Sequence, residues 1–332
     1  MDQLELSMMP YGSAAETAIR LLLDQFEAEH RCRVRIRTTS WETGRQESVS
    51  AALSGKGPDV SVVGTTWCPG LASMQVLRPF TPREIESFGG VSAFFPPAWE
   101  SGKVLGDQHM WAIPWTTDIR PIVYRRDLLE KAGINEKQAF LSPAQLLETL
   151  RQLQDCGIPT PFALATQGSI YPLLHLHNLA SFVWGAGGDF LSIDGTRTMF
   201  HLPETRLGIR NFLELSRYLS AEARGLDIFE ANALFWQGRA AVTFSLELPF
   251  KETLEKIAAP REVMSNLGVA TMPGTTFVGG CNLVMWRNVP LSRENLALEL
   301  IRFLSGQKSS ARACCSHEFP ASPHRCAAGS PI

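Results

Sequence analysis

Apolar positions along the first third of the chain switch repeatedly between a spacing of two and a spacing near 3.6 residues. Residues 4–8, LELSM, read as a strand; from Ser13 onward Ile19, Leu22, Leu23 and Phe26 recur on one helical face, with Ser13 and Glu16 spaced as a capping box. Residues 34–38 predict a second strand, 46–54 a short helix, and 58–63 a third strand closing at Gly64. Strands alternating with helices imply a parallel sheet with crossover helices, and so an α/β fold.

The segment 110–134 carries a different signal. Trp111 and Ile113 alternate before Pro114, which should bar continuation of a central ladder; residues 119–124 then run as a further β-like segment, and Arg126 opens an apolar-periodic helix closed at Gly133. Between them lies the polar and aromatic run Trp115-Thr116-Thr117-Asp118. Beyond Tyr124 helices dominate, at 126–132, 142–156 (capped by Ser142 with Gln145), 173–184, 203–219 and 227–237, interrupted by short strands at 162–165 and 240–244. Strand character returns at 268–271 and 281–286 before a last helix at 292–304. No internal repeat is evident. From about Ser309 periodicity gives way to SSARACCSHEFPASPHRCAAGSPI, a composition that predicts a disordered or poorly packed tail and suggests a change of reading frame or a truncated gene.

A chain of 332 residues with 45% hydrophobic content is long enough for two domains, each with its own core. The formal net charge of -2, with no basic run interleaved with aromatics, disfavours nucleic acid as a partner. No apolar run approaches the roughly 20 residues that span a bilayer. The N-terminus MDQLELSMMPYG has neither a basic nor an apolar leader region, so the expectation is a cytosolic chain or one whose leader is absent. Seven cysteines, Cys32, Cys68, Cys156, Cys281, Cys314, Cys315 and Cys326, are scattered without a CxxC; the first four read as isolated buried thiols. Cys314, Cys315, His317, His324 and Cys326 cluster, but at spacings that fit no zinc site.

The pattern lacks the machinery of an enzyme. There is no nucleophile elbow, no HExxH and no phosphate-binding loop, and Gly185-Ala186-Gly187-Gly188 follows a helix and reads as a turn. His175 and His177, two apart, point to different faces of one helix and suit structural roles. No cofactor or metal is implied, and the chain reads as a non-enzyme. The eight tryptophans point elsewhere. Trp41, Trp67, Trp115, Trp184 and Trp236 fall at or near element ends among polar residues or glycine, where sites form. An indole covers the C–H face of a sugar while carboxylates and amides take its hydroxyls, so a neutral polyhydroxy ligand fits best. Asp118 is the strongest single polar candidate, the competing reading being a surface ion pair with Arg120; Asp59 reads as a turn or cap residue.

At these residues the chain resembles the extracellular solute-binding proteins of ABC transporters, in particular the carbohydrate-binding group that includes maltose-binding protein. The resemblance covers roughly residues 4–305. It rests on Gly57-Pro58-Asp59-Val60 with Gly64-Thr65-Thr66-Trp67; Ile113-Pro114-Trp115 through Tyr124-Arg125-Arg126-Asp127-Leu128-Leu129; Trp184-Gly185-Ala186-Gly187-Gly188-Asp189; Phe235-Trp236-Gln237-Gly238-Arg239-Ala240-Ala241-Val242; and Met272-Pro273-Gly274 with Gly279-Gly280.

The resemblance implies a two-lobe, hinge-linked periplasmic-binding-protein fold (type II) that closes on a ligand in the interlobe cleft. Lobe 1 would take residues 1–117 and 268–308, the helix-rich lobe 2 residues 118–267, and 309–332 would be an atypical tail. It further implies capture of a sugar or oligosaccharide for an importer, with permease subunits as partners and a monomeric chain outside the cytoplasm. The ligand-facing residues would be Trp41, Thr66, Trp67, Trp115, Asp118, Trp184, Trp236, Ser245, Glu247 and Gly279. Two departures stand out: family members normally carry a signal peptide and continue past the helix at 292–304, so the second lobe is expected to be incomplete. The same fold holding an anion, a polyamine or a metal chelate, and a cytosolic sensor module, are the alternatives.

Overall fold

The computed structural model describes residues 2–167, 174–244, 259–306 and 319–320. In chain order the elements are β1 (Gln3–Met8), α1 (Ser13–His30), β2 (Arg33–Thr38), α2 (Gly44–Ser54), β3 (Val60–Gly64), α3 (Cys68–Ser73), α4 (Pro82–Ser87), α5 (Pro96–Glu100) and β4 (Ile113–Ile119). There follow β5 (Ile122–Arg125), α6 (Arg126–Lys131), α7 (Pro143–Asp155), β6 (Phe162–Ala163), α8 (Leu174–Gly185), α9 (Pro203–Glu214), α10 (Ile228–Trp236) and β7 (Val242–Phe244). The chain continues through α11 (Arg261–Ser265), β8 (Leu267–Ala270), β9 (Val278–Met285), α12 (Leu291–Ser305) and β10 (Phe319–Pro320). Two compact units result: Met1–Asp118 with Val278–Ile332, and Ile119–Phe277. Gly268 falls in the second unit, because β8 lies antiparallel on β5, and the chain rejoins the first unit at Val278.

The first unit is built on a six-stranded sheet of order β10-β4-β9-β3-β1-β2. Strand β1 is parallel to β2 and to β3, whereas β9 enters antiparallel to β3, so the sheet is mixed and not wholly parallel. The apolar face of α1 predicted from spacing, Ile19, Leu22, Leu23 and Phe26, is buried, each such side chain contributing about 1.5–3 kcal/mol. Gly12, one residue before Ser13, occupies the N-cap position of α1, and its carbonyl accepts from the Glu16 amide. Pro114 does not interrupt the chain. It sits at the start of β4, near one end of the sheet order, where a missing donor is tolerated. Phe319 and Pro320, inside the stretch expected to lack structure, pair antiparallel with Thr117 and Thr116 of β4.

Asp59 ties this unit together. Its carboxylate accepts from the Glu5 amide at 2.8 Å and from the Arg293 guanidinium at 2.9 Å, fastening β3 to β1 and to α12. Burial pushes its pKa up, while the Glu5 amide and Arg293 pull it down. It is a buried fastener and more than a turn residue.

The second unit holds a four-stranded sheet of order β6-β7-β5-β8, and its core is drawn from strands, helices and connecting loops together. Ser142 caps α7 as expected, its Oγ accepting from the Gln145 amide, and Leu146, Leu150 and Leu153 fill the interior. Cys32, Cys68 and Cys281 are buried as expected, but Cys156 is half-buried with its Sγ 3.7 Å from the Lys131 carbonyl. The cysteines after Gln307 lie outside the described residues. Among the described residues no helix is long and apolar enough to cross a membrane.

Candidate functional site

Each of the three parallel strands of the first unit ends three residues before an aromatic side chain: Met8 before Tyr11, Thr38 before Trp41, Gly64 before Trp67. Adjacent parallel strands deliver their following loops to one edge of the sheet, so three rings at the same offset converge there. They meet edge to face. Tyr11 lies 6.1 Å from Trp41 at 80° and 5.8 Å from Trp115 of β4 at 87°, and Trp41 lies 6.1 Å from Trp67 at 72°. T-shaped contacts of this kind fix ring orientations and are worth about 0.5–1.5 kcal/mol beyond area burial. Trp115 is nearly enclosed, whereas Trp41 and Trp67 are half-buried.

Polar residues neighbour these aromatics in the sequence. Thr66 is exposed in the turn between β3 and α3, beside Trp67, and Asp118 is half-buried at the far end of β4. Between Trp115 and Asp118, the Thr116 hydroxyl is buried with no partner among the described residues, which is a capacity for one further hydrogen bond. Gly279 is buried in β9; its neighbour Gly280 has φ 122° and passes so close to Thr116 that a Cβ would lie 2.1 Å from that carbonyl oxygen.

The second unit presents its own aromatic row. His177, Ser181 and Trp184, at i, i+4 and i+7 on α8, share one helical face. Phe277 lies on that face: its ring is 4.1 Å from His177 at 8° and 6.1 Å from Trp184 at 11°, and its amide donates to Ser181 Oγ at 3.0 Å. Trp184 Nε1 donates to Asp189 at 3.1 Å in the turn closed by Gly187 (φ 82°), as read from the sequence. Arg120 donates to His177 Nδ1 at 3.2 Å and is 4% exposed, so it is no surface residue. Burial, reinforced by the Arg120 charge, lowers the His177 pKa to about 3.

That shift has a sign. Between about pH 3 and 6.5 the unfolded chain binds a proton at His177 that the folded chain refuses, so stability falls as pH drops through this window and the contribution is fully favourable above it. One proton corresponds to a limiting slope of about 1.4 kcal/mol per pH unit. His177→Gln, which keeps an acceptor for Arg120 and removes the titration, is expected to flatten the stability profile between pH 4 and 6.5, measured by urea unfolding at each pH.

The profile of the bacterial extracellular solute-binding proteins matches residues 11–309. The chain belongs to that family. Among curated solute-binding relatives, the diacetylchitobiose-binding protein DasA of Streptomyces coelicolor is 23% identical over 310 residues, 90% of this chain and 68% of DasA. MalE of Xanthomonas citri superposes with a TM-score of 0.79 at 21% identity, covering 98% of this chain and 81% of that one. Maltose-bound MalE3 of T. maritima gives 0.77 at 20%, covering 98% and 83%, and the GacH receptor of Streptomyces glaucescens, solved with acarbose, 0.75 at 20%, covering 99% and 82%. The fold is therefore the α/β fold of the periplasmic sugar-binding proteins.

For a solute-binding protein the residues singled out from sequence sort into three groups. Trp41, Thr66, Trp67, Trp115, Asp118 and Gly279 belong to the first unit and Trp184 to the second. Trp236 is 1% exposed, packed edge-on against Phe235 at 5.1 Å in the core of the second unit, so its side chain is interior filling. Ser245 and Glu247 lie outside the described residues. Sequence reasoning missed Tyr11, Phe277 and the Arg120–His177 pair. The signal for Tyr11 was present in its offset from β1, equal to those of Trp41 and Trp67; no local pattern joins Arg120 to a histidine 57 positions away.

Proposed function

We propose that the chain is the substrate-capturing component of an ABC importer and that it holds a neutral sugar or oligosaccharide against the aromatic cluster of its first unit. The observation that carries this reading is the convergence of Tyr11, Trp41 and Trp67 at the carboxyl ends of three adjacent parallel strands, with Trp115 behind them. Half-buried indoles suit the C–H faces of a pyranose, and Asp118, Thr66 and the Thr116 hydroxyl suit its hydroxyls. The relatives support the same class: DasA is named for diacetylchitobiose, and related structures hold maltose, acarbose and laminaribiose. The role needs no catalysis and no cofactor. Its partners would be permease subunits, and a monomer working on the extracellular or periplasmic side fits the family.

A thermal-shift screen separates this reading from one in which a charged solute is bound. Neutral disaccharides at a hundred times their Kd should stabilise the protein by about 2.7 kcal/mol, whereas phosphate, spermidine and metal chelates should not. A shift with the charged solutes alone would sink the proposal. Asp118→Ala is expected to weaken sugar binding by about 1–3 kcal/mol while leaving the fold intact, as read by titration of the two proteins side by side.

A further inference from the structure

Two glycines lie against the indole of Trp67. A Cβ on Gly44 would sit 3.1 Å from Trp67 Cη2 and 3.4 Å from Cζ3, with Thr39 Oγ1 at 3.3 Å; a Cβ on Gly64 would sit 3.2 Å from Nε1 and 3.3 Å from Cε2. The first glycine thus meets the six-membered ring and the second the five-membered ring. Neither has its φ in the left-handed region, so backbone conformation does not demand glycine at either place. Gly44 opens α2, where alanine would be the better helix former. Side-chain space is the remaining reason for a glycine, and the indole occupies it. The Trp67 amide also donates to the Gly64 carbonyl at 2.8 Å, so the turn that carries the ring is anchored to one of the glycines it rests on.

We infer that Gly44 and Gly64 are positioning residues that set the plane of the Trp67 indole and so the affinity and selectivity of the first unit for its ligand. The inference rests on the reading that Trp67 stacks on a sugar. A methyl at either glycine forces the ring, its neighbour or both to give way by a few tenths of an ångström, because contacts of 3.1–3.2 Å are tighter than ordinary van der Waals packing. The ring has little room to absorb this within the cluster, since its orientation is also held against Trp41.

The test uses Gly44→Ala and Gly64→Ala in the full chain, each alone and combined with Trp67→Ala. With maltose and diacetylchitobiose as titrants, each glycine variant should bind 3- to 10-fold more weakly than wild type. Gly44→Ala should melt no lower than wild type. Added to Trp67→Ala, neither substitution should weaken binding further, which is the signature of an effect transmitted through that ring. Near-ultraviolet circular dichroism and acrylamide quenching of the unliganded single variants should differ from wild type.

Wild-type affinity together with wild-type near-ultraviolet spectra would overturn the inference, as would an affinity loss that persists undiminished in the Trp67→Ala background. If wild-type protein binds neither sugar while the unliganded spectra of the variants still change, the glycines position the indole and it is the sugar-binding reading that fails.

Discussion

Gly280→Ala is expected to destabilise the first unit by about 2–6 kcal/mol. Two costs add. At φ 122° a residue with a Cβ is strained, by about 1–3 kcal/mol. The new methyl would also lie 2.1 Å from the Thr116 carbonyl oxygen and 2.7 Å from Thr117 Cα, and overpacking against backbone costs about 1–3 kcal/mol more. The natural control is Gly106→Ala, at φ 79° but with nothing within 4 Å of the added carbon, which should cost only the backbone strain. Urea unfolding of the three proteins checks this, and equal midpoints for Gly280→Ala and Gly106→Ala would show that the sheet yields where β4 and β9 approach. The consequence is functional as well as structural, because the peptide that Gly280 packs against lies between Trp115 and Asp118.

The second large effect concerns binding. Trp67→Ala and Trp41→Ala should each weaken sugar binding by about 10- to 100-fold, since each removes a half-buried ring from the cluster. Their effect on stability should be small by comparison. Trp236→Ala is expected to behave in the opposite way, losing about 3–5 kcal/mol of stability from a fully enclosed core position. Calorimetric titration together with thermal unfolding separates the two patterns. A Trp236 variant that kept its stability and lost affinity would reverse the assignment.

The contrast among the tryptophans shows what a sequence can convey about such a molecule. Trp41 and Trp67 announce themselves because short strands end in recognisable polar or glycine turns, so an aromatic just beyond such an end stands out. Trp236 sits at a helix end of similar appearance, yet Leu234, Phe235 and Trp236 are all buried, and a helix covered on several faces leaves no periodicity to separate core from site.

The order of the strands was less legible. Spacing marks β9 as a strand, but its place antiparallel to β3 depends on pairing across more than two hundred residues, for which the local pattern holds no information. Pro114 misleads for a related reason: its cost depends on its position in the sheet, not on the tripeptide around it. The Arg120–His177–Phe277 arrangement is likewise assembled from three distant segments, and burial together with the Arg120 charge turns His177 from an ordinary histidine into one that stays neutral through the physiological range.

Sugar capture by the aromatic cluster is decided by isothermal titration calorimetry of the folded full chain with neutral disaccharides, maltose, laminaribiose and diacetylchitobiose among them. Saturable one-to-one binding of at least one of them is expected, weakened at least tenfold by Trp67→Ala. Absence of binding heat across the panel over a range of temperatures, from protein shown to be folded by a cooperative thermal transition, would contradict it.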